Sequence, residues 1–170
     1  PILGSGIALR RVHFMAKVEL FKMPFGLFVK LYGAFPVRRF ESDLRAMMNA
    51  ERILRQGGVV GMFPEGTRSR TRKLGEFHPG TAVIALRAGA PVLPCALVGT
   101  EQLGNPLNVL RKPRIQVRIG EPIPVERVKR PSEDQVSELT QRMREAVAAL
   151  LPPQYLPTYT ESDGANPPGQ

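Results

Sequence analysis

The residues Phe63-Pro64-Glu65-Gly66-Thr67-Arg68-Ser69 set a carboxylate, a hydroxyl and a guanidinium close together at the end of an apolar run. Pro64 and Gly66 are turn formers, one fixing its own φ and the other free to take a positive φ. The combination suits an anionic ligand. Arg68 can grip a phosphate through two charge-assisted hydrogen bonds, Thr67 can add another, and Gly66 lets the backbone approach closely. The Glu65 carboxylate can accept a bond from a substrate hydroxyl or orient an arginine. The plainer reading of the same residues is an ordinary charged turn with an exposed ion pair. Net charge sharpens the choice. The chain carries 24 Lys+Arg against 15 Asp+Glu, a net charge of +9. Residues 1–75 hold 14 basic and 5 acidic side chains, whereas the remainder is balanced at 10 and 10. Such a basic half points to an anionic partner: nucleic acid, an anionic membrane surface or a phosphorylated small molecule. Of these, nucleic acid fits least. The run from Arg68 to Lys73 has no interleaved aromatics for base stacking, and the chain has no Trp.

The string FPEGTRS resembles the signature of glycerolipid acyltransferases of the 1-acylglycerol-3-phosphate O-acyltransferase type. Three further blocks follow the family's order. Gly33-Ala34-Phe35-Pro36-Val37-Arg38-Arg39 resembles an earlier block, Ala90-Pro91-Val92-Leu93-Pro94-Cys95-Ala96-Leu97 a later one, and Arg118-Ile119-Gly120-Glu121-Pro122-Ile123 a closing segment. The likeness runs from about Pro1 to Pro124. It implies that Arg39 and Arg68 hold the phosphate of the acceptor, with Glu65, Gly66 and Thr67 shaping the glycerol-phosphate pocket. Pro94 and its strand would form a wall. Two positions depart from the family pattern. Arg38 stands where many members have an acidic residue, and His78 stands where a lysine is usual. Protonated, His78 can still reach a phosphate, though more weakly near neutral pH. Gly80 and Thr81, opening a helix, can offer backbone N–H groups to an anion.

The resemblance implies an enzyme of phospholipid biosynthesis. It would move a fatty acyl group from acyl-CoA or acyl-carrier protein to 1-acylglycerol 3-phosphate, forming phosphatidic acid. The expected partners are a lysophospholipid acceptor, an acyl thioester donor and a membrane surface on the cytoplasmic face. No metal or prosthetic group is implied. The alternatives are another lysolipid or an alcohol as acceptor, or a non-catalytic module that binds anionic membranes. The family's catalytic pair is a histidine followed, after four residues, by an aspartate. At that spacing His13 is followed by Val18 and His78 by Val83, so neither histidine fits. In relatives the pair directly precedes a segment like Pro1-Ile2-Leu3-Gly4, which places the expected pair just ahead of Pro1. A glycerol hydroxyl is a poor nucleophile until a base removes its proton. The expectation is therefore that these residues alone are inactive while retaining part of the phosphate site.

These residues must be positioned by an α/β fold. The sequence predicts strands at 11–16, 34–37, 59–63, 92–98 and 115–119, alternating with helices. One helix runs from an N-cap at Ser42 to about Gln56, with Leu44, Met47, Met48 and Leu54 as its apolar face. A short helix spans 81–88. The last opens at Ser132 with a capping box to Gln135 and presents Val136, Leu139, Met143, Val147 and Leu150 at helical spacing. Alternation of this kind implies a mixed, largely parallel sheet flanked by helices. In such sheets ligands sit beyond the carboxyl ends of strands, so the segments after Val37, Phe63 and Val98 are the candidate loops. Val59 to Phe63, apolar throughout, reads as a strand buried on both faces. Glu19 to Tyr32 is apolar and aromatic with nearby lysines; it could lie on a membrane or pack on the sheet. The resemblance implies that residues 1–151 form one acyltransferase domain lacking its N-terminal portion, and 152–170 read as a disordered Pro-rich tail. His13 and Cys95, each in an apolar strand, read as structural residues, and a single cysteine excludes an intramolecular disulfide.

Overall fold

The structure is a computed structural model and describes residues 12–17, 35–37, 44–67, 69, 71–104 and 114–157. Arg38, Arg39, Ser42, Arg68 and the segment Glu19–Tyr32 lie outside these described residues. Among the described residues five short strands and three α-helices follow the predicted order. They are β1 (Val12–Lys17), β2 (Phe35–Val37), α1 (Leu44–Arg55), β3 (Val59–Gly61), α2 (Gly80–Ala88), β4 (Cys95–Val98), β5 (Gln116–Ile119) and α3 (Glu133–Leu150).

β1 is the central strand of a parallel sheet ordered β2-β1-β3. Its first half pairs with β3, Val12 opposite Val59 and Phe14 opposite Gly61. Its second half pairs with β2, Met15 opposite Phe35 and Lys17 opposite Val37. β2 and β3 therefore end at the same side of the sheet, the side where the 63–67 turn leaves. β4 and β5 form a separate antiparallel ladder, extended by a bridge between Val92 and Ile123. Parallel and antiparallel pairing are thus both present, as the mixed arrangement requires, but among the described residues they fall in two sheets.

β3 ends two residues earlier than predicted. Val59 and Val60 are half-buried, and Phe63 is 57% exposed, stacked on Phe14 with ring centroids 6.4 Å apart. The continuous apolar run does not mark a strand covered on both faces. It marks a half-buried strand that runs into an aromatic pair at the site.

α1 departs from its predicted face. Leu44 and Met48 are 64% and 63% exposed, whereas Ala46, Ala50 and Glu51 are buried. The helix packs against α2, and small residues lie buried on both: Ala46 and Ala50, then Ala82 and Ala85. Close approach of the two helices takes precedence over burial of long side chains. Glu51 stays buried because two guanidiniums meet it, Arg55 one turn along and Arg87 of α2 at 3.3 Å. A buried carboxylate needs such partners.

The main core lies between α2, α3 and the segments that lead into them. Leu74, Phe77, Ala82, Ala85, Leu86, Ile123, Leu139 and Met143 form its buried cluster. α2 ends at Gly89 in the left-handed conformation (φ 66°), whose N–H satisfies the carbonyls of Ala85 and Leu86. α3 begins with the predicted capping box: Gln135 N–H donates to Ser132 Oγ at 3.2 Å, and Ser132 N–H donates to Gln135 Oε1 at 3.0 Å.

The tail boundary at 152 needs correction. Pro153–Tyr155 form a 3-10 turn, and Leu74 N–H donates to the Tyr155 carbonyl at 2.7 Å. The Tyr155 hydroxyl donates to Glu101 at 2.8 Å in the turn Thr100–Gly104 after β4. Proline-rich composition signals the absence of helix here, and not the absence of tertiary contact. The bond to Glu101 is the main cause that raises the Tyr155 phenol above its ordinary pKa, with burial and the Glu101 charge acting in the same direction. The folded state thus holds this proton more tightly than the unfolded state. The resulting stabilisation is complete below about pH 10 and is lost as pH rises through the raised value. Tyr155→Phe is expected to cost about 1 kcal/mol in urea unfolding at pH 8. That difference should shrink at pH 11, and a difference of equal size there would contradict the assignment.

Candidate active site

The site is built from the turn that follows β3. Gly66 N–H donates to the Phe63 carbonyl at 2.9 Å, closing the chain on itself over Pro64 and Glu65. Gly66 has φ 63°, a left-handed conformation that costs an L side chain about 1–2 kcal/mol. Space is also limiting, since a Cβ on Gly66 would meet the His78 ring at 3.0 Å. His78 N–H in turn donates to the Pro64 carbonyl at 2.9 Å. The signature turn and the departure from the family lysine therefore stand side by side.

Glu65 turns toward its own loop. Its Oε2 accepts a hydrogen bond from Gly75 N–H at 3.0 Å. The chain from Gly66 to Leu74 is thereby closed into a loop with Glu65 and Gly75 at its neck. Gly66 and Thr67 are exposed on that loop, and His78, beyond its neck, is exposed beside Gly66. α2 opens two residues after His78, at Gly80, with Pro79 as its N-cap and no side chain capping it. The structure thus brings Glu65, Gly66, Thr67 and His78 together, beside the start of α2. Arg39 follows β2 and Arg68 follows Thr67 in sequence, and both lie outside the described residues.

The family model described as Acyltransferase matches residues 2–98, a span that includes this entire site. The chain belongs to the acyltransferase family. It is 32% identical to the 1-acyl-sn-glycerol-3-phosphate acyltransferase of Bacillus subtilis (strain 168), over 87% of this chain and 73% of that protein. It is 31% identical to the chloroplastic 1-acyl-sn-glycerol-3-phosphate acyltransferase BAT2 of Brassica napus, over 65% of this chain but 33% of that one. The crystal structure of the 1-acyl-sn-glycerophosphate (LPA) acyltransferase PlsC from Thermotoga maritima is similar at a TM-score of 0.54 and 27% identity. That match covers 82% of this chain and 58% of that one. The chain therefore spans about three quarters of the Bacillus protein and less of the other two.

The remaining expectations for this acyltransferase concern the walls of the site. Pro94 is buried at the entry to β4, and its carbonyl accepts from Gly120 N–H at 2.9 Å, tying β4 to β5. Cys95 is half-buried, and burial pushes its thiol pKa up, as expected of a small strand residue. His13 is half-buried on β1. Among the described residues no helix is long and apolar enough to cross a membrane.

Sequence reading missed two residues at the neck of the loop. Gly75 is one: a Cβ there would stand 2.9 Å from Glu65 Oε2, so a side chain at this position would make the carboxylate shift. Its position ten residues after Glu65, where the basic run gives way to Leu74 and Phe77, was the available signal. Arg144 is the other, and it lies 69 residues from Gly75 on the polar side of a helix. No local pattern marks it.

Proposed function

We propose that this chain carries the acceptor site of an enzyme that acylates 1-acylglycerol 3-phosphate to phosphatidic acid. The observation that carries this reading is the loop closed by Glu65 and Gly75, which exposes Gly66 and Thr67 beside His78 in a family whose relatives bear this activity's name. Arg68 and Arg39 supply the guanidiniums, and Thr67 and the backbone beside Gly66 supply neutral donors to the phosphate. Glu65 acts by fixing the loop.

The free hydroxyl of the acceptor attacks the thioester carbonyl of acyl-CoA or acyl-carrier protein. A C–O bond forms, the C–S bond breaks, and the thiol leaves with a proton. A His-x4-Asp pair would take the hydroxyl proton, with the aspartate holding the imidazole in the right tautomer. The 170 residues contain no histidine with an aspartate at that spacing, so in this scheme the base is supplied in addition to them. The acceptor's acyl chain places the reaction at a lipid surface, at the cytoplasmic face where both thioester donors occur. No metal or prosthetic group takes part in this scheme.

The test is product identification. The chain, preceded by a His-x4-Asp segment, is incubated with 1-acylglycerol 3-phosphate and an acyl thioester, and the lipids are analysed by mass. Phosphatidic acid is the expected product. Acylation of a different lysolipid, with none of 1-acylglycerol 3-phosphate, would overturn the assignment of the acceptor.

A further inference from the structure

Three hydrogen-bonded groups form a line through the neck of the site loop. Gly75 N–H donates to Glu65 Oε2 at 3.0 Å, and the Gly75 carbonyl accepts from Arg144 Nε at 3.3 Å. Arg144 also meets Glu76, with Nη2 at 3.4 Å from Oε1. The Arg144 side chain is only 18% exposed, whereas that of Glu76 is 90% exposed. An ion pair with so exposed a partner contributes little. The bond to the Gly75 carbonyl is therefore the contact that gives this partly buried guanidinium a structural purpose. Leu74, the preceding residue, is held by the Tyr155 carbonyl. Both anchors come from the C-terminal part of the chain, α3 and the turn after it. Gly75 fits between Glu65 and Arg144 because it has no side chain to displace the carboxylate.

We propose that Arg144 is a positioning residue: through the Gly75 backbone it holds Glu65 and so fixes the loop that presents Gly66 and Thr67 to the acceptor phosphate. The placement of Glu65 rests on geometry alone, and the consequence for phosphate rests on the function proposed above. Arg144 does not touch the ligand. It removes freedom from the loop before the ligand arrives, so loss of Arg144 weakens binding without removing a ligand contact.

The experiment uses the 170-residue chain with sn-glycerol 3-phosphate as the probe. The amide signal of Gly75 and the side-chain carboxyl signal of Glu65 are followed by NMR, and the dissociation constant is measured in parallel. Arg144→Gln is expected to shift both signals toward those of an unbonded pair and to weaken glycerol 3-phosphate binding about three- to tenfold. Its Tm should remain close to that of the parent. Arg144→Lys should restore the signals in part, and Gly75→Ala should displace Glu65 and mimic Arg144→Gln. Gly75 and Glu65 signals unchanged in a folded Arg144→Gln chain would overturn the proposal. If Arg144→Gln does not fold, the Lys and Gly75→Ala variants decide by the same signals, and unchanged spectra in both would overturn it equally. Arg68→Ala separates the two ideas. If Arg68→Ala leaves binding unaltered, or the parent binds no glycerol 3-phosphate, the phosphate site fails while the Glu65–Gly75–Arg144 signals still judge the positioning role.

Discussion

Arg68→Ala is expected to lower kcat/KM for 1-acylglycerol 3-phosphate about 10–100-fold while changing it less than about threefold for 1-acylglycerol, which has no phosphate. The size follows from the bonds lost. A charge-assisted hydrogen bond contributes about 1.5–3 kcal/mol, and every 1.4 kcal/mol is a factor of ten. Arginine offers two parallel donors to phosphate oxygens, whereas lysine is a point charge, so Arg68→Lys should recover only part of the loss. The selectivity matters more than the size. A general disturbance of the fold would lower both acceptors alike, and equal loss on both would remove Arg68 from the phosphate site. The assay uses the chain preceded by a His-x4-Asp segment, so that turnover is measurable.

The second large effect concerns the base. Assayed alone, the 170 residues are expected to turn over about 10²–10⁴-fold more slowly than when a His-x4-Asp segment precedes them. His13 and His78 are the available imidazoles, and each has valine where the family's aspartate would stand. His78 packs on Gly66 and is exposed, where it can meet a phosphate, but no carboxylate partner is set for it by this spacing. Neither histidine therefore has the family's aspartate at the spacing that would orient it as a base. His78→Gln should lower the residual rate of the isolated chain by about threefold or less, the size of one weak phosphate contact and far less than the loss of a base. Vigorous acyl transfer by the isolated chain, abolished by His78→Gln, would show that His78 is the base and contradict this assignment.

The parts of the molecule that were legible in sequence are those that depend on neighbours in sequence. The capping box of α3 needs only Ser132 and Gln135, and Leu139 and Met143 follow from helical spacing; all four behave as read. The signature turn is equally local, since Pro64 and Gly66 define it before any tertiary contact forms. α1 was misread for the opposite reason. Its long residues Leu44 and Met48 looked like the buried face, but burial went to Ala46, Ala50 and Glu51. What decides that choice is α2, whose own alanines allow close approach and whose Arg87 neutralises Glu51. Neither influence is visible in the α1 sequence. Tyr155 was hidden by its composition, because a proline-rich segment can dock through backbone groups and one phenol without any periodicity. Arg144 was hidden by distance along the chain.

Glu65 shows how the two levels combine. Its type and setting suggested a group that contacts substrate or orients an arginine, and the structure has its carboxylate holding Gly75 N–H. A carboxylate among cations can do either, and only the fold decides between them. Among the described residues the Glu65 carboxylate accepts from the Gly75 N–H, a structural bond within the basic half of the chain.

In the proposed function the loop after β3 takes the phosphate of a lysophospholipid acceptor. The most direct measurement is the ratio of kcat/KM for 1-acylglycerol 3-phosphate to that for 1-acylglycerol of the same chain length, in the parent and in Arg68→Ala. The account predicts a parent ratio well above one that falls about tenfold or more in the variant. A parent ratio near one, or a high ratio that survives Arg68→Ala, would contradict it.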